Sequence, residues 1–206
     1  MNTTKILSLF ALVLALPVVT PAQNLFLVNR GNNAVVKFAY TGGALNTNGA
    51  IFANASAGLD GPYGVAFDSS GNLYVASAFN STITLFTNNA GILSTNGTVF
   101  ATASSGLNYP FGLAFDGSGN LYVANYLGDS IVEFASNGGV LNPGGTIFTD
   151  PNLSNPAGLA FDNSGNLYVA NTKSSTIEVF TNRSGTLNTN GIIFASASLN
   201  TPYECV

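Results

Sequence analysis

The stretch Phe161-Asp162-Asn163-Ser164-Gly165-Asn166-Leu167-Tyr168-Val169-Ala170-Asn171 occurs three times, returning as FDGSGNLYVAN over 115–125 and as FDSSGNLYVAS over 67–77. In each copy two apolar runs flank an Asp-x-Ser-Gly-Asn segment. Gly and Asn tolerate the positive φ of a tight reversal, and Asp can bond the backbone two residues on, so each copy is expected to form a β-hairpin.

Around this hairpin the chain repeats. Pro62, Pro110, Pro156 and Pro202 are separated by 48, 46 and 46 residues. The same register carries Asp68, Asp116 and Asp162, and also Phe86, Phe134 and Phe180. An earlier partial copy, Leu25 to Asn29, matches Leu73 to Ser77. Each unit reads as four short strands, illustrated by 110–115, 121–125, 130–134 and 145–149. The first two are joined by the hairpin turn, the second and third by a short polar loop, and the last two by a Gly/Asn-rich loop. No segment carries a helical period.

Four antiparallel strands in about 40 to 50 residues is the size of a propeller blade, and radial stacking buries apolar faces that a lone sheet leaves wet. A parallel β-helix, the competing repeat architecture, has shorter coils and no regular hairpin. The expected fold is therefore all-β: a β-propeller of four-stranded antiparallel blades, with about four blades present. The units lie near 24–60, 61–108, 109–154 and 155–200, with a partial copy over 201–206. Two arrangements are open: an arc of a larger propeller with exposed edges, or a closed four-blade ring in which 202–206 supplies the strand that the first unit lacks. Phe86, Phe134 and Phe180 are expected core wedges. In the third strands a charge interrupts the apolar run, at Glu133 and Glu178, and a more exposed face is expected there.

The run Pro110-Phe111-Gly112-Leu113-Ala114-Phe115-Asp116-Gly117-Ser118-Gly119-Asn120-Leu121-Tyr122-Val123-Ala124, present in three copies, resembles the NHL-repeat β-propellers, within the six-bladed superfamily of the TolB-like and SMP-30/gluconolactonase-like proteins. The resemblance covers nearly all of the chain after residue 22. It implies a propeller, and relatives that include protein-binding scaffolds, lactone hydrolases that hold a divalent metal, and a streptogramin lyase. Two departures stand out. The family's Asp after Tyr-Val-Ala is Asn29, Ser77, Asn125 or Asn171, and four units are fewer than the six blades typical of the family.

Composition narrows the function. Only 7% of residues are charged, the net charge is -4, and the five basic residues are scattered, so no basic stripe exists to bind a phosphate backbone. The chain has no histidine, which removes His-dependent triads and His metal ligands. Lys5, the apolar run 6–19 and the small residues before Gln23 match an export signal over 1–22, which places the propeller at 23–206 in a secreted or periplasmic protein. A retained anchor is the alternative, but the run is short of the roughly 20 residues that span a bilayer. Cys205 stands alone, so no intramolecular disulfide forms.

The candidate binding residues are Tyr63, Phe111, Asn125, Tyr126 and Asn171. Tyr63, Phe111, Ala157 and Tyr203 share one register position beside Pro, where aromatic rings would either stack a ligand or pack between blades. Asn125 and Asn171 end the second strands, and would either join a polar ring or cap the strand. Tyr126 follows Asn125. No catalytic residue and no protein metal ligand is assigned; each hairpin turn has one carboxylate, whereas calcium takes six to eight oxygens. A divalent metal such as calcium remains an expectation of the resemblance alone. The reading is a non-enzymatic scaffold for a protein or carbohydrate ligand, with a truncated relative of the lactone hydrolases or streptogramin lyases as the alternative. Dimerisation through exposed blade edges is a further expectation.

Overall fold

A computed structural model describes residues 24–41, 43–196 and 199–204. The expected export signal and Cys205 lie outside the described residues. Each hairpin turn is built by its aspartate. In the third unit Asp116 Oδ1 accepts the N–H groups of Ser118 (2.8 Å) and Asn120 (2.9 Å), and Oδ2 accepts the Asn120 side chain at 2.7 Å. Gly119 takes φ 84°, which a Cβ would oppose. Asn120 Oδ1 in turn accepts the Ser136 N–H at 2.8 Å, so the turn also anchors the segment after the third strand. Asp68 and Asp162 repeat the arrangement.

Four blade-sized antiparallel sheets result. Pro110–Phe115 pairs with Leu121–Asn125, which pairs with Ser130–Phe134, which pairs with Thr146–Phe148. The second blade (Pro62–Phe67, Leu73–Ser77, Thr82–Phe86, Thr98–Ala101) and the fourth (Pro156–Phe161, Leu167–Asn171, Thr176–Phe180, Ile192–Ala195) repeat this order. The first blade has three strands among the described residues, Leu25–Asn29, Ala34–Phe38 and Ala50–Ala53. The loop expected between third and fourth strands contains a small hairpin, such as Ser136–Asn137 with Val140–Leu141. Two residues per arm with a Gly-Gly tip give too little periodicity to recognise in advance.

The innermost strands Pro62–Phe67, Pro110–Phe115 and Pro156–Phe161 lie side by side. Gly64 and Gly112 make this possible: a Cβ on Gly64 would overlap the Phe111 carbonyl oxygen, and one on Gly112 the Ala157 carbonyl oxygen. The three larger core clusters each span two neighbouring blades, and a smaller one, Tyr63, Ala78, Phe111 and Ala157, runs across three. Phe26, Val28, Val35 and Phe52 of the first meet Val65, Leu73, Val75 and Phe86 of the second, and the same faces meet between later blades. Phe86, Phe134 and Phe180 are fully buried wedges. Among the described residues no strand of the first blade packs on a strand of the fourth, so the arc is open and the ring alternative is not realised.

One expectation fails. Glu178 is fully buried and Glu133 half-buried, not exposed. The face of the third strand that carries Glu178 is turned to the preceding blade and covered by it, and the same position is filled by the buried Thr84 and Val132 in the second and third blades.

Candidate functional site

The residue that leads into each innermost strand has a left-handed backbone: Gly61 (φ 57°), Tyr109 (56°), Asn155 (48°) and Thr201 (44°). Its N–H is taken by a side chain from the blade before, Asn33 Oδ1 (2.8 Å), Ser81 Oγ (3.2 Å), Asp129 Oδ1 (2.7 Å) and Ser175 Oγ (3.2 Å) respectively. This latch joins each blade to the chain that follows it, at the entry end of the innermost strands. A tyrosine in such a conformation is uncommon, and it places the Tyr109 ring among others.

At this end three of the sequence candidates come together. Tyr63 stacks on Phe111 with centroids 3.8 Å apart, and Phe111 stacks on Tyr126 at 4.3 Å. Tyr109 lies 6.2 Å from Tyr63 and 5.8 Å from Phe111. Phe79 lies 5.7 Å from Tyr109. The Arg30 guanidinium sits 4.8 Å over the Tyr63 ring and 5.2 Å over Phe79, within cation–π range. Tyr63 and Phe111 are the buried floor, Tyr109 and Tyr126 are part-exposed, and Phe79 and Arg30 face solvent. Burial pushes the Tyr63 hydroxyl up to about 12, with Arg30 pulling the other way, so it stays a neutral hydroxyl near neutral pH. Phe79, Tyr109 and Arg30 were not singled out from the sequence. Arg30 and Phe79 lie in equivalent loops, 30–33 and 78–81, away from the proline register and at different positions within them; an aromatic residue immediately before Pro110 was the one visible signal.

Asn125 and Asn171 stand apart from this patch in role. Asn125 Oδ1 accepts the Asn108 N–H (3.0 Å) and its Nδ2 donates to the Gly106 carbonyl (2.8 Å) and Ser130 Oγ (3.1 Å). Asn171 Oδ1 accepts the Ser154 N–H (3.0 Å), and its Nδ2 donates to Glu178 Oε2 (3.3 Å). Both are buried, and both spend Oδ1 on the loop that arrives from the preceding blade and Nδ2 at least in part on the third strand of their own blade.

Beside Asn171 lies an acid pair. Asp150 Oδ1 accepts the N–H and the side-chain amide of Asn152 (both 2.9 Å), and Oδ2 accepts the Gly191 N–H at 3.1 Å. Burial pushes Glu178 up to about 7, and a hydrogen bond and repulsion from Asp150 add to it. For Asp150 burial acts upward, but hydrogen bonds from Asn152, Glu178 and Gly191 outweigh it and hold the carboxyl low. Below about pH 7 the pair therefore holds one proton, carried on Glu178. Sealed from solvent, it binds a loop to the fourth blade.

A divalent metal does not fit the residues present. Among the described residues no three His, Cys, Asp or Glu side chains stand close enough together to hold one. The carboxylates of Asp68, Asp116 and Asp162 are used by their own turns.

The family model described as lactonase, 7-bladed beta-propeller, matches residues 17–195, most of the chain. The chain belongs to this lactonase family of β-propellers. Among solved structures it resembles a catalytically inactive virginiamycin B lyase from Staphylococcus aureus with quinupristin, at 15% identity and a TM-score of 0.61, covering 98% of this chain and 61% of the lyase. A gluconolactonase from Xanthomonas campestris matches at 21% identity with a TM-score of 0.62, over 88% of this chain and 61% of the enzyme. A chain of the nidogen/laminin complex matches at 22% identity with a TM-score of 0.64, over 84% of this chain and 62% of that one. The chain thus spans about three fifths of the length of these structures, and they share its fold. No curated protein matches it. The lactonase-type propeller is the frame on which the aromatic patch is carried.

Proposed function

We propose that this lactonase-type propeller is an exported binding protein whose aromatic patch takes a carbohydrate ring. The observation that carries the reading is the Tyr63–Phe111–Tyr126 ladder, with Tyr109 and Phe79 at its rim and Arg30 over it. Tyr63 and Phe111 serve as the buried floor that fixes the rim. The part-exposed Tyr109 and Tyr126 and the exposed Phe79 are the rings that can pack against the C–H face of a sugar, and the exposed Arg30 guanidinium beside them donates to hydroxyl or carboxylate oxygens. The basic residue and apolar run at the N-terminus support export. Mono- and oligosaccharides, neutral and uronic, are titrated by calorimetry into the wild-type chain and into Tyr109→Ala and Arg30→Ala. Each substitution is expected to weaken binding by about 2- to 10-fold, the worth of one stacking or cation–π contact. No heat from any saccharide, or equal affinity in all three proteins, refutes the reading.

A second reading is hydrolysis of a lactone, supported by the family membership, or lysis of a streptogramin, supported by the shared fold with virginiamycin B lyase. No described residue set is assigned to it. Turnover of gluconolactone or of a streptogramin B by the purified chain would favour it over a purely binding role.

A further inference from the structure

Within the chain, every blade presents the same two faces. On one, a second-strand aromatic and a fourth-strand Phe point forward: Phe26 with Phe52, Tyr74 with Phe100. Each pair receives from the next blade a third-strand Phe and a small-hairpin Leu, Leu93 or Leu141. Phe52 meets Phe86 at 5.3 Å, Phe100 meets Phe134 at 5.3 Å, and Phe148 meets Phe180 at 5.5 Å.

Among the described residues two faces of this kind are left over. On the fourth blade Tyr168 and Phe194 pair at 5.3 Å, but Phe194 is 63% exposed, whereas Phe52, Phe100 and Phe148 are partly buried. Ile177 is also only partly covered, whereas Ile83 and Ile131 are fully buried. On the first blade Phe38 and Leu25 are partly covered, where Phe86, Phe134, Phe180, Leu73, Leu121 and Leu167 are fully buried, and Leu45 is 44% exposed. The two leftover faces are complementary, position by position, because they are the two halves of an interface that the chain makes three times.

The backbone agrees. Thr201 has the latch conformation and its N–H bonds Ser175 Oγ at 3.2 Å, as Tyr109 bonds Ser81. Pro202 therefore starts where an innermost strand starts. In the complete blades that proline is opposite the last residue of the second strand, as Pro62 is to Ser77, Pro110 to Asn125 and Pro156 to Asn171. Leu25–Asn29 is the edge of its sheet, with no strand on its inner side among the described residues.

We infer that a second copy of this chain docks head to tail, the Tyr168/Phe194 face of one copy receiving Phe38 and Leu45 of the other, with Pro202 brought opposite the other copy's Asn29. The occupant is a second copy because it carries the matching face, and because the contact repeats an interface the molecule already forms. Heterologous contacts of this kind close into rings or continue as chains.

The full chain and the variants Phe194→Asp and Leu45→Asp are compared by sedimentation equilibrium over a wide concentration range. The wild type is expected to associate, and each variant to remain a single chain. An equimolar mixture of the two variants is expected to form a two-chain species, since it retains one intact face from each partner. Both side chains face solvent in the single chain, so melting should be near wild type; if either variant melts early, Phe194→Ser and Leu45→Ser carry the same comparison. A wild type that stays a single chain throughout, a Leu45→Asp protein that still dimerises alone, or a variant mixture that does not associate overturns the inference.

Discussion

Replacing Glu178 by Gln is expected to make the protein more stable at pH 8 and to leave it nearly unchanged at pH 4.5. The carboxyl is fully buried, beside Asp150 and Asn171 and against Gly191, where a Cβ would overlap its Oε1. Burial and Asp150 raise it from an ordinary 4.5 to about 7. Below pH 4.5 the folded and unfolded chains both carry the proton. Between 4.5 and 7 the folded chain keeps a proton that the unfolded chain has lost, so stability falls as pH rises through that window and levels off above it. The move from 4.5 to about 7 corresponds to an upper limit of about 3 kcal/mol. Gln has nearly the same shape, is neutral at every pH, and donates to Asp150 as the protonated acid does. At pH 8 the variant should therefore exceed the wild type by up to about 3 kcal/mol, or roughly 6–12 °C in Tm for a chain of this size. Urea denaturation of both proteins at intervals from pH 4.5 to 8 measures it. With no histidine in the chain, few other groups titrate there; Glu204, also raised by burial, is common to both proteins and cancels. Parallel pH profiles, or a Gln variant less stable at pH 8, would refute the shared-proton reasoning.

Phe134→Ala should cost about 3–5 kcal/mol, because the ring is fully buried between two blades and edge-on to Phe100; a loss under 1 kcal/mol in urea denaturation would contradict the wedge role. Gly112→Ala should cost at least about 1–3 kcal/mol, since its Cβ would overlap the Ala157 carbonyl oxygen of the next blade. Gly117→Ala, with nothing within 4 Å of the new methyl, is the control and should stay within about 0.5 kcal/mol; equal melting of the two variants would show that the inner strands can move apart.

The blade was legible because its signals are local. Asp116, Gly119 and Asn120 close a turn through bonds spanning four residues, and a period near 47 repeats that turn. Strand ends such as Pro110, Asn125 and Phe134 stand where the pattern put them. The candidate site was legible in part. Tyr63, Phe111 and Tyr126 were visible through the proline register and the adjacent loop, and they do stack on one another. Arg30 and Phe79 were not, because their approach to Tyr63 depends on how the first blade sits against the second. Asn125 and Asn171 looked equivalent to the aromatic candidates, yet their partners, Asn108 and Ser154, are donors on loops whose path the pattern does not specify.

By itself the sequence determined the repeat, the hairpin turn, the four-stranded blade and the apolar wedges, since each follows from contacts within one unit and from the spacing of identical units. Tertiary structure alone decided what happens between units. A charge at Glu178 suggests an exposed face until the neighbouring blade covers it, and an open arc is indistinguishable from a ring until the curvature of successive blades is known. The FDNSGNLYVAN stretch makes a blade from local bonds. Which side chains are sealed, which rings meet Arg30, and which two faces remain uncovered are set by the packing of one blade on the next.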